Sequence, residues 1–322
     1  MSGKETYLRS LDDPASILEC YETHGAVGVV DVLSPDEVKK TVDEIEGLIQ
    51  ELVGPAFSFD DPASYAHASP ALNNYGVLGK LPILTDQLNA NRFNPKVMQA
   101  YSIVYGLPCE QLLPQFDRIA WMRPTKGPRG ESWGHFDTPF RSPGIHLDVD
   151  PHSYCDPELY PSVQAYLGSL DYESLDCLTK ENNARSYLMG RQVQGVLNLF
   201  PNEEEDGGFH FSPMAPCPLG RVGLPPALKG WYDRRKVHLP APQANGRYIF
   251  DPSDYEFLWT ERIPCPPGTL LLFDAALPHG TKPNRSSKNR MIQFLRYMPK
   301  SNLDPKTLKK RSKFLKKHGV LL

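Results

Sequence analysis

Histidine and aspartate stand two residues apart twice within a short stretch of this chain. They occur as His135-Phe136-Asp137 in "SWGHFDTPF" and as His146-Leu147-Asp148 in "GIHLDVDPHSY". In an extended strand, residues i and i+2 project from one face, so either doublet aims an imidazole nitrogen and a carboxylate oxygen at one point. Far downstream, "LPHGTKPNRSSKNR" sets His279 between a proline and a glycine, with Arg290 at the head of the apolar run "MIQFLRY". A doublet joined by a distal histidine supplies two neutral nitrogens and one anionic oxygen. That set occupies one face of an octahedron and leaves three positions open, the ligand pattern of non-haem Fe(II) oxygenases.

The open positions suit a bidentate 2-oxo acid and dioxygen. An arginine in the same cavity would form a bidentate pair with a carboxylate at the far end of such an acid, as 2-oxoglutarate carries. A buried arginine calls for an anion of this kind, because an unpaired buried charge is costly. The alternative for this stretch is an ordinary hairpin with a solvated loop. The chain holds nine histidines, and a lone histidine is more often structural than a ligand, so the weight rests on spacing.

Two doublets compete for the metal. "IHLDVD" alternates as a strand does, which favours His146 and Asp148. His135 and Asp137 lie among glycine, proline and serine in the long stretch from Pro124 to Gly144, which reads as a lid loop. An insertion between Pro157 and Arg191 would explain the long separation of Asp148 from His279, and so would assignment of the metal to the other doublet. In "QVQGVLNLF", Gln194, Val196 and Asn198 share one strand face. Facing a cavity, Gln194 or Asn198 would bind the metal-side carboxylate of the cosubstrate; facing solvent, they would be an ordinary polar face. Trp121 either flanks the site or fills the core.

The elements that must position these residues fall into two textures. Asp13-Pro14 opens a helix that Gly25 closes, Ser34-Pro35-Asp36-Glu37 is a capping box, and Asn94-Pro95 opens another helix ending near Gly106. From Asp117 onward, short strand-like runs alternate with Gly, Pro and Asn, the signature of a sandwich or barrel. The chain therefore reads as mainly β with flanking α-helices. Its expected organisation is one domain over 1–322, with a mostly helical flank at 1–116, a jelly-roll core with insertions at 117–299 and a basic tail at 300–322.

The opening "YETHGAVGVVDVLSPDEVKKTVDEIEGLI", the turn "DGGFHFSPMAP" and the distal "LPHGTKPNRSSKNR" together resemble the phytanoyl-CoA dioxygenase-like family of Fe(II)/2-oxoglutarate-dependent oxygenases. The turn lacks the Ser-His that ends it in that family, and "IHLDVDP" has isoleucine where the family has tryptophan. The resemblance covers most of the chain. It implies a double-stranded β-helix, the jelly-roll or cupin-like core. It also implies His146, Asp148 and His279 as Fe(II) ligands, with Arg290 on the cosubstrate carboxylate and Thr281 as a hydroxyl supporting that arginine. The reaction it implies is hydroxylation of a small-molecule substrate with dioxygen, releasing succinate and CO2.

Bulk properties bound the alternatives. The chain of 322 residues is 40% hydrophobic and 23% charged, with a net charge of −3. This is the balance of a globular protein and argues against a dedicated nucleic-acid partner. The R-x5-R spacing of Arg290 and Arg296 nevertheless matches nucleic-acid demethylases of the same superfamily, and a non-catalytic jelly-roll binding protein is a third reading. Six scattered cysteines without a CxxC pair, and a polar N-terminus, point to the cytoplasm and to no membrane partner. Oligomeric state and substrate have no signature.

Overall fold

Capping chemistry fixes the helices of the first third. Asp13 accepts from the Ser16 backbone N–H and Pro14 fills the first turn of α1 (Pro14–His24). Gly25 ends that helix at φ 78°, a left-handed conformation that glycine adopts without a Cβ clash. Ser34 and Glu37 form the reciprocal box at the start of α2 (Pro35–Val53), whose Ile45 and Ile49 reach the core while Leu52, in the last turn, is exposed. After α3 (Asp86–Arg92), Asn94 caps α4 (Pro95–Tyr105).

The structure, a computed structural model, describes residues 7–68, 71–127, 129, 131, 144–148, 160–184, 191–213, 248–250, 260–275 and 277–320. Its strands are β1 (Leu8–Arg9), β2 (Ala26–Val29), β3 (Leu112–Gln115), β4 (Ile119–Met122), β5 (His146–Leu147), β6 (Val193–Asn198), β7 (Gly208–Phe211), β8 (Tyr248–Ile249), β9 (Glu261–Arg262), β10 (Thr269–Asp274), β11 (His279–Lys282) and β12 (Arg290–Pro299). Three more helices follow, α5 (Tyr160–Ser169), α6 (Asp176–Asn183) and α7 (Pro305–Lys317).

Seven strands make one sheet in the order β1-β2-β10-β6-β12-β3, with β4 also pairing β12. Five make a second, β8-β5-β11-β7-β9. The apolar run of β10 is buried at all six positions and lies between β2 and β6, as an inner strand covered on both faces must. Three strands from the expected helical flank at 1–116, β1, β2 and β3, thus belong to the larger sheet. The described residues are mixed α/β rather than mainly β. Part of the difference comes from the Pro157–Arg191 insertion, which supplies α5 and α6 where the sequence pattern gave no element. No helix among the described residues is long and apolar enough to cross a membrane.

Candidate metal centre and its cavity

Strand pairing across the smaller sheet assembles the centre. β5 and β11 run antiparallel with His146 directly opposite His279, and the two ring centroids are 4.3 Å apart. Asp148 follows β5 by one residue, on the same side as His146. Its backbone N–H donates to the Ala275 carbonyl at 3.0 Å, which ties the doublet to the end of β10. Ligand atoms of His146, Asp148 and His279 all lie within 4.8 Å of one another, and all three residues are buried. The Nε2 of His146 is 4.0 Å from Asp148 Oδ1, and the Nε2 of His279 is 3.8 Å from Asp148 Oδ2.

The imidazoles are oriented from behind. His146 Nδ1 is 3.0 Å from the Gly144 carbonyl oxygen and His279 Nδ1 is 2.8 Å from that of Leu277. A carbonyl only accepts, so each Nδ1 carries a proton, which turns each Nε2 toward Asp148 as the nitrogen that can ligate a metal. Two such nitrogens and an anion turned toward one point fit a cation. Ligand atoms around one small cation lie roughly 3 Å apart, so closing the present spread by about 1–2 Å would let these three residues hold one. Gly280, next to His279, lets β11 run close to its neighbours. A Cβ there would stand 2.7 Å from His210 Nε2 and 2.8 Å from the Gly144 oxygen.

The three residues open onto a cavity of about 360 Å³ lined from both sheets, within the usual range of small-molecule sites. Arg290 lines it and is 3% exposed. Its Nη1 donates to the Met122 sulfur at 3.4 Å, and its Nε has no hydrogen-bond partner. Arg290 makes no ion pair among the described residues, and burial lowers its pKa to about 10. The turn before it is knit by Asn284, whose side chain accepts from the Ser286 N–H and donates to the Lys288 and Met122 carbonyls. The Asn and Ser of "KPNRSSKNR" therefore hold the loop that delivers Arg290 to the cavity.

Other expected site residues fall out as follows. Gln194 lines the cavity, donating from Nε2 to Asp148 Oδ2 at 2.8 Å and accepting from Arg296 Nη2 at 2.8 Å. Its amide thus braces the carboxylate of the triad. Asn198 donates instead to the Phe200, Cys265 and Pro266 carbonyls at the strand end. Thr281 lines the cavity but is not hydrogen-bonded to Arg290. Trp121 packs edge-on against Phe57, Phe59 and Tyr65, a core role. His135 and Asp137 lie outside the described residues.

The sequence reading missed Asp117 and the α6 residues Thr179, Asn182 and Asn183, all of which line the cavity. Alternation along β12 puts Arg290, Ile292, Phe294 and Arg296 on one face, and that signal was available for Arg296.

Fold and centre together define a two-sheet protein with a candidate His-Asp-His metal site beside an arginine that lacks an anion. No family model matches the chain. A Dictyostelium discoideum protein named "Putative phytanoyl-CoA dioxygenase" is 28% identical over 290 residues, which cover 89% of this chain and 76% of that protein. The chain thus resembles phytanoyl-CoA dioxygenase-like proteins along most of its length, as its motifs do. Among solved structures, GlcNAc Inducible Gene 2 (GIG2, DUF1479) from Candida albicans aligns with a TM-score of 0.59 at 15% identity, covering 92% of this chain and 67% of that one. A "Putative Oxidoreductase" from Salmonella typhimurium LT2 aligns with a TM-score of 0.56 at 13% identity, covering 95% and 76%. These two likenesses concern the fold.

Proposed function

We propose that the chain is an Fe(II)- and 2-oxoglutarate-dependent oxygenase of the phytanoyl-CoA dioxygenase-like type that hydroxylates a small molecule. The two sheets are taken as the walls of a double-stranded β-helix. The observation that carries the reading is the coincidence, in one cavity, of three convergent ligand atoms with the buried, anion-lacking guanidinium of Arg290. The similarity to the Dictyostelium protein supports it.

His146, Asp148 and His279 would hold the iron, with the Gly144 and Leu277 carbonyls fixing the rings and Gln194 fixing the carboxylate. Arg290 would bind the distal carboxylate of 2-oxoglutarate and fix the orientation of its 2-oxo-acid end, and Thr281 lies on the same cavity wall. The side chains of Phe209 and Phe273 line the cavity close to His279 and restrict water there. When bound, iron supplies the redox chemistry by which 2-oxoglutarate, dioxygen and a substrate C–H yield succinate, CO2 and C–OH. One dioxygen oxygen goes to succinate and the other to the substrate. Cys20, Cys177 and Cys265 are buried thiols outside any disulfide among the described residues, which is compatible with a cytoplasmic setting.

Titration of the purified protein with Fe(II) under anaerobic conditions, followed by 2-oxoglutarate and then by admission of oxygen, tests this. One tightly held iron and iron-dependent release of succinate are expected. A protein that binds neither, or that releases succinate equally without iron, overturns the reading.

A further inference from the structure

Along β12 the cavity wall reads arginine, isoleucine, phenylalanine, arginine, from Arg290 to Arg296. The first arginine is accounted for by the cosubstrate; the second is not. Arg296 Nη2 donates to Gln194 Oε1 at 2.8 Å, and Gln194 Nε2 donates to Asp148 Oδ2 at 2.8 Å. Two hydrogen bonds in series across one amide place Arg296 within about 8 Å of the metal-site oxygen. Its other terminal nitrogen, Nη1, is buried and has no hydrogen-bond partner, a condition native proteins seldom leave uncompensated. Asp117 Oδ2 stands 3.9 Å from Nη2, an ion pair beyond hydrogen-bond distance. Asp117 Oδ1 accepts from the Arg118 backbone N–H at 2.8 Å and from Arg118 Nε at 3.3 Å, and Asp117 and Arg296 both line the cavity, an anion and a cation side by side on its wall. Thr179 of α6 lines the same cavity, and its hydroxyl is also buried without a partner.

We propose that Arg296 and Asp117 form the recognition pole for the molecule to be oxidised, and that this molecule is a small amino acid. Adjacent guanidinium and carboxylate groups complement a zwitterion, whose carboxylate takes Arg296 Nη1 while its amino group faces Asp117. The short reach to the metal site leaves room for only a few carbon atoms between the anchored carboxylate and the carbon to be oxidised, at about 1.5 Å per bond. Arg290 and Arg296 are six residues apart on one strand, roughly 20 Å. Cosubstrate and substrate can therefore each have a guanidinium without competing for it. The assignment rests on the oxygenase reading for the reaction, but the recognition pole is testable by binding alone.

Calorimetric titration of the full chain with the free proteinogenic amino acids, their methyl esters and their N-acetyl derivatives provides the test. It is run metal-free and again with Fe(II) and 2-oxoglutarate without oxygen. At least one free amino acid is expected to bind, with esterification and N-acetylation each weakening it ten-fold or more. Arg296→Met and Asp117→Asn should reproduce those losses in variants whose melting curves show a folded protein. An ester or N-acetyl derivative that binds as well as its parent overturns the proposal, and so does the absence of binding by every free amino acid in both arms. Titration with Fe(II) and 2-oxoglutarate alone reports on the oxygenase reading separately. A chain that binds an amino acid through Arg296 but does not bind 2-oxoglutarate would keep the pole and lose the oxygenase.

Discussion

Arg290 and Arg296 sit on the same face of the same strand and line the same cavity, yet their surroundings differ. Arg290 is 3% exposed and touches a methionine sulfur rather than a carboxylate. Arg296 is joined through Gln194 to Asp148 and stands beside Asp117. A buried cation without an anion is poorly compensated until a ligand brings one. A cation already tied into a network of hydrogen bonds has its geometry set by the protein. Residue type and strand alternation are identical at the two positions. What separates them is which strand lies alongside: β4, with Met122, at one end, and β6, with Gln194, at the other.

Removing a ligand of the centre should have the largest effect and would dissolve the comparison altogether. His146→Ala, Asp148→Ala and His279→Ala are each expected to abolish stoichiometric iron binding and iron-dependent succinate release, measured by metal analysis and product assay. His135→Ala should leave iron affinity nearly unchanged. If His135→Ala loses the metal and His146→Ala keeps it, the centre belongs to the other doublet.

Arg290→Met comes next. Iron should stay bound while the apparent KM for 2-oxoglutarate rises roughly thirty- to several-thousand-fold, the equivalent of about 2–5 kcal/mol for a buried charge-assisted pair. An unchanged 2-oxoglutarate dependence would remove the reason for distinguishing the two ends. Gln194→Leu should weaken iron binding by about 10- to 100-fold, the usual effect of losing a group that orients a metal ligand. Competition against a chelator measures it, and a wild-type affinity would show that the amide does not brace Asp148. The smallest effect is expected for Arg296→Met on 2-oxoglutarate, under roughly ten-fold, because about 20 Å separates it from Arg290 along the strand. A loss as large as that of Arg290→Met would mean that both guanidiniums serve one carboxylate.

Much of this was legible in the residues. Helix ends followed from Asp13, Ser34 with Glu37, and Asn94, because caps act through the nearest few backbone groups. The strand positions of His146, Gln194 and Arg290 followed from local alternation. The role of Gln194 was less accessible, since its partners Asp148 and Arg296 are 46 and 102 residues away. The cavity contribution of α6 was not accessible at all. The α6 helix lies in an insertion without a motif, and only its packing brings Thr179 to the same wall as Asp117.

By itself, then, the sequence determined the spacing of potential ligands, the ends of the capped helices α1, α2 and α4, and which strand residues share a face, because these depend on interactions within a few residues. It did not determine that β5 would lie beside β11, so that His146 meets His279, or that β6 would lie beside β12, so that Gln194 meets Arg296. Those neighbours were chosen by burial of the whole core. Which strand edges meet depends on how much apolar surface every element covers at once, and no short stretch of residues encodes that sum.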